Sequence, residues 1–155
     1  MDIKFEPMTE DVYSDYIEKS IKQFAEESVR AGNLDKSQAL EKAQDQFTKL
    51  LPDGLNTENH QLLSIFHDNN HIGMLWLHIK WTNLGKEAFI YDFFIDEQFR
   101  GNGMGKMSMS ALDTYAQKLG LKKIGLHVFA HNQRAVYLYQ KMGYEFTNHH
   151  MARYF

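Results

Sequence analysis

A glycine-rich turn between two basic residues is the part of this sequence best suited to chemistry. Arg100 precedes glycines at positions 101, 103 and 105, and Lys106 follows them. An apolar run before the turn and apolar residues three or four apart after it predict a strand, a turn and a helix. The first backbone N–H groups of such a helix lack partners and attract anions, and glycine leaves room for a ligand. The sequence therefore predicts an anion cradle suited to phosphate groups.

Two common phosphate-binding fingerprints do not fit this turn. A P-loop requires G-x-x-x-x-G-K-[ST], but Met107 follows Lys106 and Arg100 stands where the first glycine belongs. A dinucleotide-binding fold requires G-x-G-x-x-G and an acidic residue about twenty positions later. The strand predicted at about 123–129 ends in His-Val-Phe without an acid. Both mismatches argue against an ATP- or nicotinamide-binding protein.

Three stretches of the chain form a more specific combination. They are the turn Arg100-x-x-Gly103-x-Gly105, the approach strand Ile90–Ile95 and the downstream segment Asn132-x-x-Ala135-x-x-x-Tyr139-x-x-x-Gly143-Tyr144. Together they resemble the GNAT superfamily of acyl-CoA-dependent N-acetyltransferases, whose turn signature is (Q/R)-x-x-G-x-(G/A). The resemblance spans about residues 88–144, with a strand of the expected length between the motifs.

This resemblance implies a fold, a reaction and a cofactor site. The fold would be a single α/β (α+β mixed) domain, with a mixed central sheet of about six to seven strands and helices on both faces. The reaction would move an acetyl group from acetyl-CoA directly to a primary amine. The backbone amides of the cradle would hold the pyrophosphate, from Arg100 through Gly101, Asn102, Gly103, Met104 and Gly105 into Lys106. Phe93, Phe94 and Ile95 would line the pantetheine arm, where the family has a bulge that splays the fourth strand from the fifth. An N–H near Phe94 or Ile95 would stabilise the oxyanion.

The downstream helix offers two candidate catalytic residues. The resemblance implies that Tyr139 binds the cofactor and protonates the departing thiolate, although a tyrosine in mid-helix is also an ordinary core aromatic. Asn132 would lie near the pantetheine arm or an ordered water in the family. It is equally a favoured N-cap residue at the start of this helix.

Asp92 is the candidate base. It interrupts an apolar strand, where an isolated carboxylate is unfavourable unless it is solvated or partnered. Relatives carry an acid here or beside it, but Tyr91 stands where a glutamate is frequent, so a plain ion pair is the competing interpretation. His127, at the predicted exit of the fifth strand, is a minor candidate for the same role.

Composition sets the remaining limits. The chain has 155 residues, 43% of them hydrophobic, with a formal net charge of −3. One globular domain (residues 1–155) is expected, without the basic field of a nucleic-acid-binding protein. The absence of cysteine excludes disulfides and thiolate sites, and eight histidines match no metal-ligand spacing, so no metal is expected. An N-terminus without an apolar segment and the lack of a long apolar run predict a cytoplasmic protein that does not contact membranes.

Periodicity predicts the elements around the site. One helix follows an N-cap at Thr9 to about Ala31, and a second is capped by Asp35 and ends at Pro52. The resemblance implies that these two helices shape the acceptor pocket. Strands are predicted at about 3–8, 62–66, 72–81, 88–95 and 122–128, a short helix at about 133–142, and one or two closing strands within 144–155.

The sequence leaves the acceptor and the assembly open. A small amine, an antibiotic amino group, and a peptide N-terminus or lysine all remain candidates for the acceptor. The alternative function is a non-catalytic sensor that holds acyl-CoA on the same fold. Aromatic residues of the tail could serve a homodimer or complete the sheet: Tyr144, Phe146, Tyr154 and Phe155.

Overall fold

One five-stranded sheet organises the protein in the computed structural model, which describes residues 2–155. Its strands are β1 (Ile3–Pro7), β2 (His60–His67), β3 (Asn70–Thr82), β4 (Gly85–Ile95) and β5 (Lys123–Leu126), and its helices are α1 (Glu10–Arg30), α2 (Ala39–Leu50), α3 (Met104–Leu119) and α4 (Gln133–Lys141). The strands lie in chain order, β1 to β4 antiparallel and β5 parallel to β4. The predicted mixed α/β fold is confirmed.

Helices cover both faces of the sheet. Tyr16 of α1 packs with Trp76 and Met74 on one face, where Phe47 of α2 joins them. On the other face, Met109 and Leu112 of α3 pack on the apolar side of β2, β3 and β4. Side chains of successive strand residues alternate between these layers, so β3 and β4 contribute to both. Among residues 2–155, no helix is long and apolar enough to cross a membrane.

Local sequence signals explain most of the element ends. Thr9 caps α1 as predicted, its Oγ1 accepting a hydrogen bond from the Val12 N–H at 3.3 Å. Asp68 and Asn69 adopt positive φ in the two-residue turn between β2 and β3, as a tight hairpin requires. The predicted cap of α2 is wrong, because the Asp35 carboxylate instead accepts a hydrogen bond from the Ser37 hydroxyl at 2.5 Å and the helix begins only at Ala39.

The strand count differs from the prediction of six to seven. Residues 144–155 contain no strand, although their aromatic residues favour one. A strand needs a neighbour, and no backbone hydrogen bond joins residues 145–155 to the rest of the described chain. The sheet of residues 2–155 therefore ends at β5.

Candidate active site

A β-bulge in β4 creates the local geometry of the site. Trp76 pairs with Asp92 while Leu77 pairs with Ile90, so Tyr91 is an extra residue opposite β3. Two consecutive side chains consequently lie on the α1 face, since the Tyr91 ring stacks on Trp76 at 4.9 Å and Asp92 contacts Tyr16 of α1. A bulge was expected in this strand near Phe94 or Ile95, and the structure has it three or four residues earlier.

Beyond the bulge, β4 has an open edge. Its pairing with β5 covers only Glu87 to Ile90, and Leu126 is the last partner. Residues 91–95 continue β4 without a neighbour on that side, although β3 pairs with them on the other. An extended ligand can therefore add to β4 here as another strand would.

Strand alternation decides which backbone groups face the open edge. The Asp96 N–H donates to the Ile72 carbonyl at 2.7 Å, so Asp96 and Phe94 direct their backbone groups to β3. Phe93 and Ile95 face the opposite edge. Of the two expected oxyanion donors, only Ile95 has its N–H on the open side.

Gly73 holds the end of β4 in place. A Cβ at this position would lie 2.1 Å from the Phe94 carbonyl oxygen, much closer than any van der Waals contact. Only glycine therefore allows β3 to approach β4 so closely at the end of the open edge.

The glycine turn leaves the start of α3 uncapped. Gly101 and Gly103 have φ of +85° and +76°, and a Cβ built at either would meet no atom within 4 Å. Backbone conformation rather than crowding therefore requires glycine there, and the space above the turn is free for a ligand. Gly103 has no side chain to cap α3, and the first intrahelical bond runs from the Met107 N–H to its carbonyl at 3.0 Å. The N–H groups of residues 104–106 thus remain available to an anion.

Arg100 connects the cradle to the open strand. Its Nε donates to the Ile95 carbonyl at 2.7 Å, which fixes the turn against the end of β4. Lys106 is exposed in the first turn of α3 and adds positive charge there. The glycine turn and the open end of β4 are thereby joined by a direct hydrogen bond.

Asp92 is a largely buried carboxylate with one strong partner. The Tyr16 hydroxyl donates to its Oδ2 at 2.6 Å. Burial raises the pKa of Asp92 above its ordinary value, while the Tyr16 hydrogen bond and the Phe93 N–H oppose that rise. Burial and the nearby Asp92 charge likewise raise the pKa of Tyr16. Tyr16 therefore stays a neutral donor that favours the ionised carboxylate.

Tyr139 lies on the opposite face of the sheet from Tyr16 and still senses Asp92. Its ring packs against the core and lies 5.6 Å from the Tyr144 ring, edge to face. Burial first, and then the negative charge of Asp92, raises the pKa of Tyr139 to about 12. The hydroxyl is consequently protonated at neutral pH, as a general acid must be.

The uncapped start of α3 and the open edge of β4 agree with the comparisons with known proteins. The family model described as Acetyltransferase (GNAT) family matches residues 14–144. The chain belongs to the GNAT acetyltransferase family. It is 38% identical to the uncharacterized N-acetyltransferase YdgE of Bacillus subtilis (strain 168), over 99% of this chain and 98% of that protein. It is 39% identical to the uncharacterized N-acetyltransferase YycN of the same strain, over 99% of both chains. The crystal structure of YycN superposes with a TM-score of 0.89, covering 99% of this chain and 98% of that one.

A third relative has a named substrate. The spermine/spermidine N(1)-acetyltransferase of Bacillus subtilis (strain 168) is 36% identical over 66 residues, which are 42% of this chain and 43% of that protein. Members of the GNAT family are acyltransferases that use acetyl-CoA and act on amine acceptors, so this chain is an enzyme of the acyltransferase class.

The two remaining candidate residues, Asn132 and His127, are exposed. Asn132 is exposed and caps α4, its Oδ1 accepting from the Ala135 N–H at 3.4 Å. His127 directly follows β5 and packs its ring against the Phe129 ring at 4.9 Å, exposed to solvent. Within residues 2–155, no group of three or more histidine, aspartate or glutamate side chains is placed to hold a metal ion.

Tyr16 is the site residue that sequence reasoning missed. It lies 76 positions from Asp92 and belongs to no motif, and α1 already had a plausible apolar stripe at Tyr13 and Ile17. The only signal was Asp92 itself, because a carboxylate in an apolar strand requires a hydrogen-bond partner somewhere in the fold.

Proposed function

We propose that residues 1–155 form a single N-acetyltransferase domain that moves an acetyl group from acetyl-CoA to a primary amine in the cytoplasm. The observation that carries this proposal is that four features meet in one part of the fold. An uncapped helix with a glycine turn adjoins an open β4 edge, and a buried carboxylate and a protonated tyrosine lie at that edge.

The free backbone groups suggest how the acetyl donor, acetyl-CoA, would bind. The N–H groups of residues 104–106, with Arg100 and Lys106, would hold the pyrophosphate. At the open edge, the Phe93 backbone would pair with an amide group of the pantetheine arm, with the Phe94 side chain beside it. The Ile95 N–H would stabilise the oxyanion that forms when the amine attacks the thioester carbonyl.

Three proton transfers complete the reaction. An alkyl amine with a pKa of about 10 is mostly protonated at neutral pH, so a base must take a proton before attack. Asp92, directly or through water, accepts that proton. As the carbon–sulfur bond breaks, Tyr139 donates its hydroxyl proton to the departing thiolate. The Tyr139 phenolate then regains a proton from the former amine nitrogen, which leaves free CoA, a neutral amide and a protonated Asp92. Asn132 supports Tyr139 by capping α4.

Asp92 also favours a cationic acceptor. Of the ion pairs that involve residues 2–155, none includes this buried carboxylate. A buried carboxylate whose donors are both neutral gains further from a cation, and the Tyr16 and Phe94 rings beside it, 6.3 Å apart, suit an ammonium group. The partial likeness to a spermine/spermidine acetyltransferase supports polyamines as the first acceptors to test.

A thermal-shift titration with acetyl-CoA and CoA, with ATP and NAD as controls, tests the donor half. At about 100 Kd a ligand stabilises the native state by about 2.7 kcal/mol, or roughly 5–10 °C for a chain of this size. The expected result is a shift with the CoA species alone. No shift with either CoA species would refute the donor site.

Thiol release in the presence of an amine panel tests the acceptor half. The chain contains no cysteine, so a thiol reagent reports free CoA without a protein background. We expect release with polyamines and other alkyl amines. Binding of acetyl-CoA without release for any amine would assign the protein as an acyl-CoA sensor instead.

A further inference from the structure

A histidine that the proposed chemistry does not use lies beside the β4 bulge. The indole Nε1–H of Trp76 donates to His60 Nδ1 at 3.0 Å, and Trp76 is almost fully buried, with 3% of the residue exposed. An indole nitrogen only donates, so His60 Nδ1 accepts and the ring proton of neutral His60 lies on Nε2. A second proton, on Nδ1, would remove the acceptor. The bond therefore requires His60 in its neutral form.

The surroundings of His60 keep it neutral. Its ring stacks on the ring of His78, the residue opposite it on β3, with centroids 4.4 Å apart. A third titratable ring, that of Tyr91 on β4, lies 5.8 Å from His60. Burial first, and then the charge of His78, lower the pKa of His60 below its ordinary value, while burial and then Lys80 lower the pKa of His78. Both histidines are consequently uncharged at neutral pH.

Trp76 contacts both residues of the bulge. Its backbone pairs with Asp92, and its indole ring stacks on the Tyr91 ring at 4.9 Å, with 27° between the ring planes. The Phe89 ring packs edge to face against Tyr91 at 5.3 Å. These contacts hold the Tyr91 ring on the α1 face, although 40% of the residue is exposed. The orientation of the indole, which the bond to His60 fixes, therefore determines where the Tyr91 ring lies.

The bulge decides which face of the sheet receives Asp92. With the extra residue, Asp92 shares the α1 face with Tyr91 and reaches the Tyr16 hydroxyl. A regular pairing of Tyr91 with Trp76 would direct the next residue, Asp92, to the α3 face, where the side chains are apolar. The carboxylate would then lose its Tyr16 donor. The position of Asp92 thus depends on the bulge that Trp76 and Tyr91 hold.

We propose that His60 is a positioning residue for Asp92, which it places through the rings of Trp76 and Tyr91. The neutral His60 ring orients the indole, and the indole holds the Tyr91 ring. Tyr91 in this position maintains the bulge that directs Asp92 toward α1. The catalytic consequence rests on the proposed function, in which Asp92 is the base, whereas the placement of Asp92 by His60 does not.

Two variants of His60 separate the hydrogen bond from the presence of a side chain. His60→Asn places an amide oxygen where Nδ1 of the imidazole lies, so an acceptor for the indole remains. His60→Leu supplies a side chain of similar size without an acceptor and leaves the buried indole N–H unpaired. His67→Asn is the matched control, because His67 lies at the other end of β2 and is also half-buried. Trp76→Phe removes the donor instead and replaces His60→Leu if that variant does not fold.

Carbon-13 NMR of the aspartate carboxyl groups reports on Asp92 without any substrate. The Asp92 resonance is the one that is missing in Asp92→Asn. A carboxyl group that loses the Tyr16 donor titrates at a higher pH, so the midpoint is expected to rise by roughly one pH unit in His60→Leu. His60→Asn and His67→Asn should keep the parent midpoint. An unmoved or lowered midpoint in His60→Leu, or an equal rise in His60→Asn, would overturn the proposal.

Turnover of an amine that the parent acetylates gives the second readout. His60→Leu is expected to lower kcat roughly 10- to 100-fold, as a displaced catalytic group does, with little change in the affinity for acetyl-CoA. His60→Asn should recover most of the loss. A parallel loss of acetyl-CoA affinity would indicate general damage to the fold and refute the positioning role. If the Asp92 midpoint rises as expected but the parent acetylates no amine, the proposed function fails and the placement of Asp92 by His60 stands.

Discussion

Replacing Tyr16 by phenylalanine should move the acid limb of the pH–rate profile. The Tyr16 hydroxyl donates to the Asp92 carboxylate at 2.6 Å, and this bond lowers the pKa of Asp92 against the rise caused by burial. Phenylalanine keeps the ring that packs beside Phe94 and removes only the donor. The base then holds its proton to a higher pH.

The size of the shift follows from the type of bond. A hydrogen bond to a charged group contributes about 1.5–3 kcal/mol, and one pKa unit corresponds to about 1.36 kcal/mol. The acid limb of kcat/KM is therefore expected to rise by roughly 1–2 pH units in Tyr16→Phe, with rates that approach the parent value at higher pH. A purely structural loss would lower the rate equally at every pH.

The assay is CoA release from acetyl-CoA and an active amine between pH 5 and 9, with stability measured at each pH. Tyr115→Phe is the matched control, since Tyr115 is a half-buried tyrosine that donates to Gln61 Oε1 at 2.5 Å on the α3 face. Its profile should not move. If the acid limb is unshifted in Tyr16→Phe but disappears in Asp92→Asn, then Asp92 is the base but Tyr16 does not set its pKa. An unshifted limb in both variants would remove Asp92 from the mechanism.

Three further outcomes are expected. Tyr139→Phe should reduce kcat about 10²–10⁴-fold with little change in the affinity for acetyl-CoA measured by titration. The control is Tyr144→Phe, which should retain turnover although Tyr144 lies beside Tyr139 and its pKa is also raised to about 12. Equal losses of kcat in the two variants would refute the acid role. Burial raises the folded-state pKa of Asp92 above its ordinary 3.8, so the native chain keeps this proton to a higher pH than the unfolded chain does. The contribution of Asp92 to the free energy of unfolding therefore falls as pH rises through the raised pKa. The urea midpoint of Asp92→Asn should therefore improve relative to the parent between pH 4 and pH 7, and a constant difference would contradict the pKa direction. Gly73→Ala should destabilise the fold by about 1–3 kcal/mol or more in urea unfolding, since its Cβ meets the Phe94 carbonyl; a neutral effect would show that β4 can shift.

The strand–turn–helix unit of the candidate site could be read from the sequence because its determinants are local. Glycines at alternate positions, an apolar run before them and helical periodicity after them are all visible within about thirty residues. The sequence pattern also located β4 and the α4 cap at Asn132. The position of the bulge could not be read, because a one-residue offset depends on the pairing of Trp76 and Leu77 in another strand. The Tyr16 contact to Asp92 depends on the packing angle of α1, which no local pattern encodes.

The tail shows a different limit. Its residues favour a strand, and the prediction of closing strands in 144–155 followed from that preference. Whether a strand forms depends on a neighbour, and the described chain provides none for residues 145–155. The amino-acid preferences of the tail thus predict an extended segment but do not say which strand it would pair with.

In the proposed mechanism, the charge of Asp92 would set the order of the proton transfers. Burial raises the pKa of Tyr139 most, and the charge of ionised Asp92 raises it further. Once Asp92 has accepted a proton from the acceptor amine, that charge disappears and Tyr139 becomes a stronger acid. The leaving group is then protonated most readily after the nucleophile has been activated. A donor thioester bound without an amine faces a tyrosine that is still a weak acid, so the same interaction protects it from wasteful cleavage.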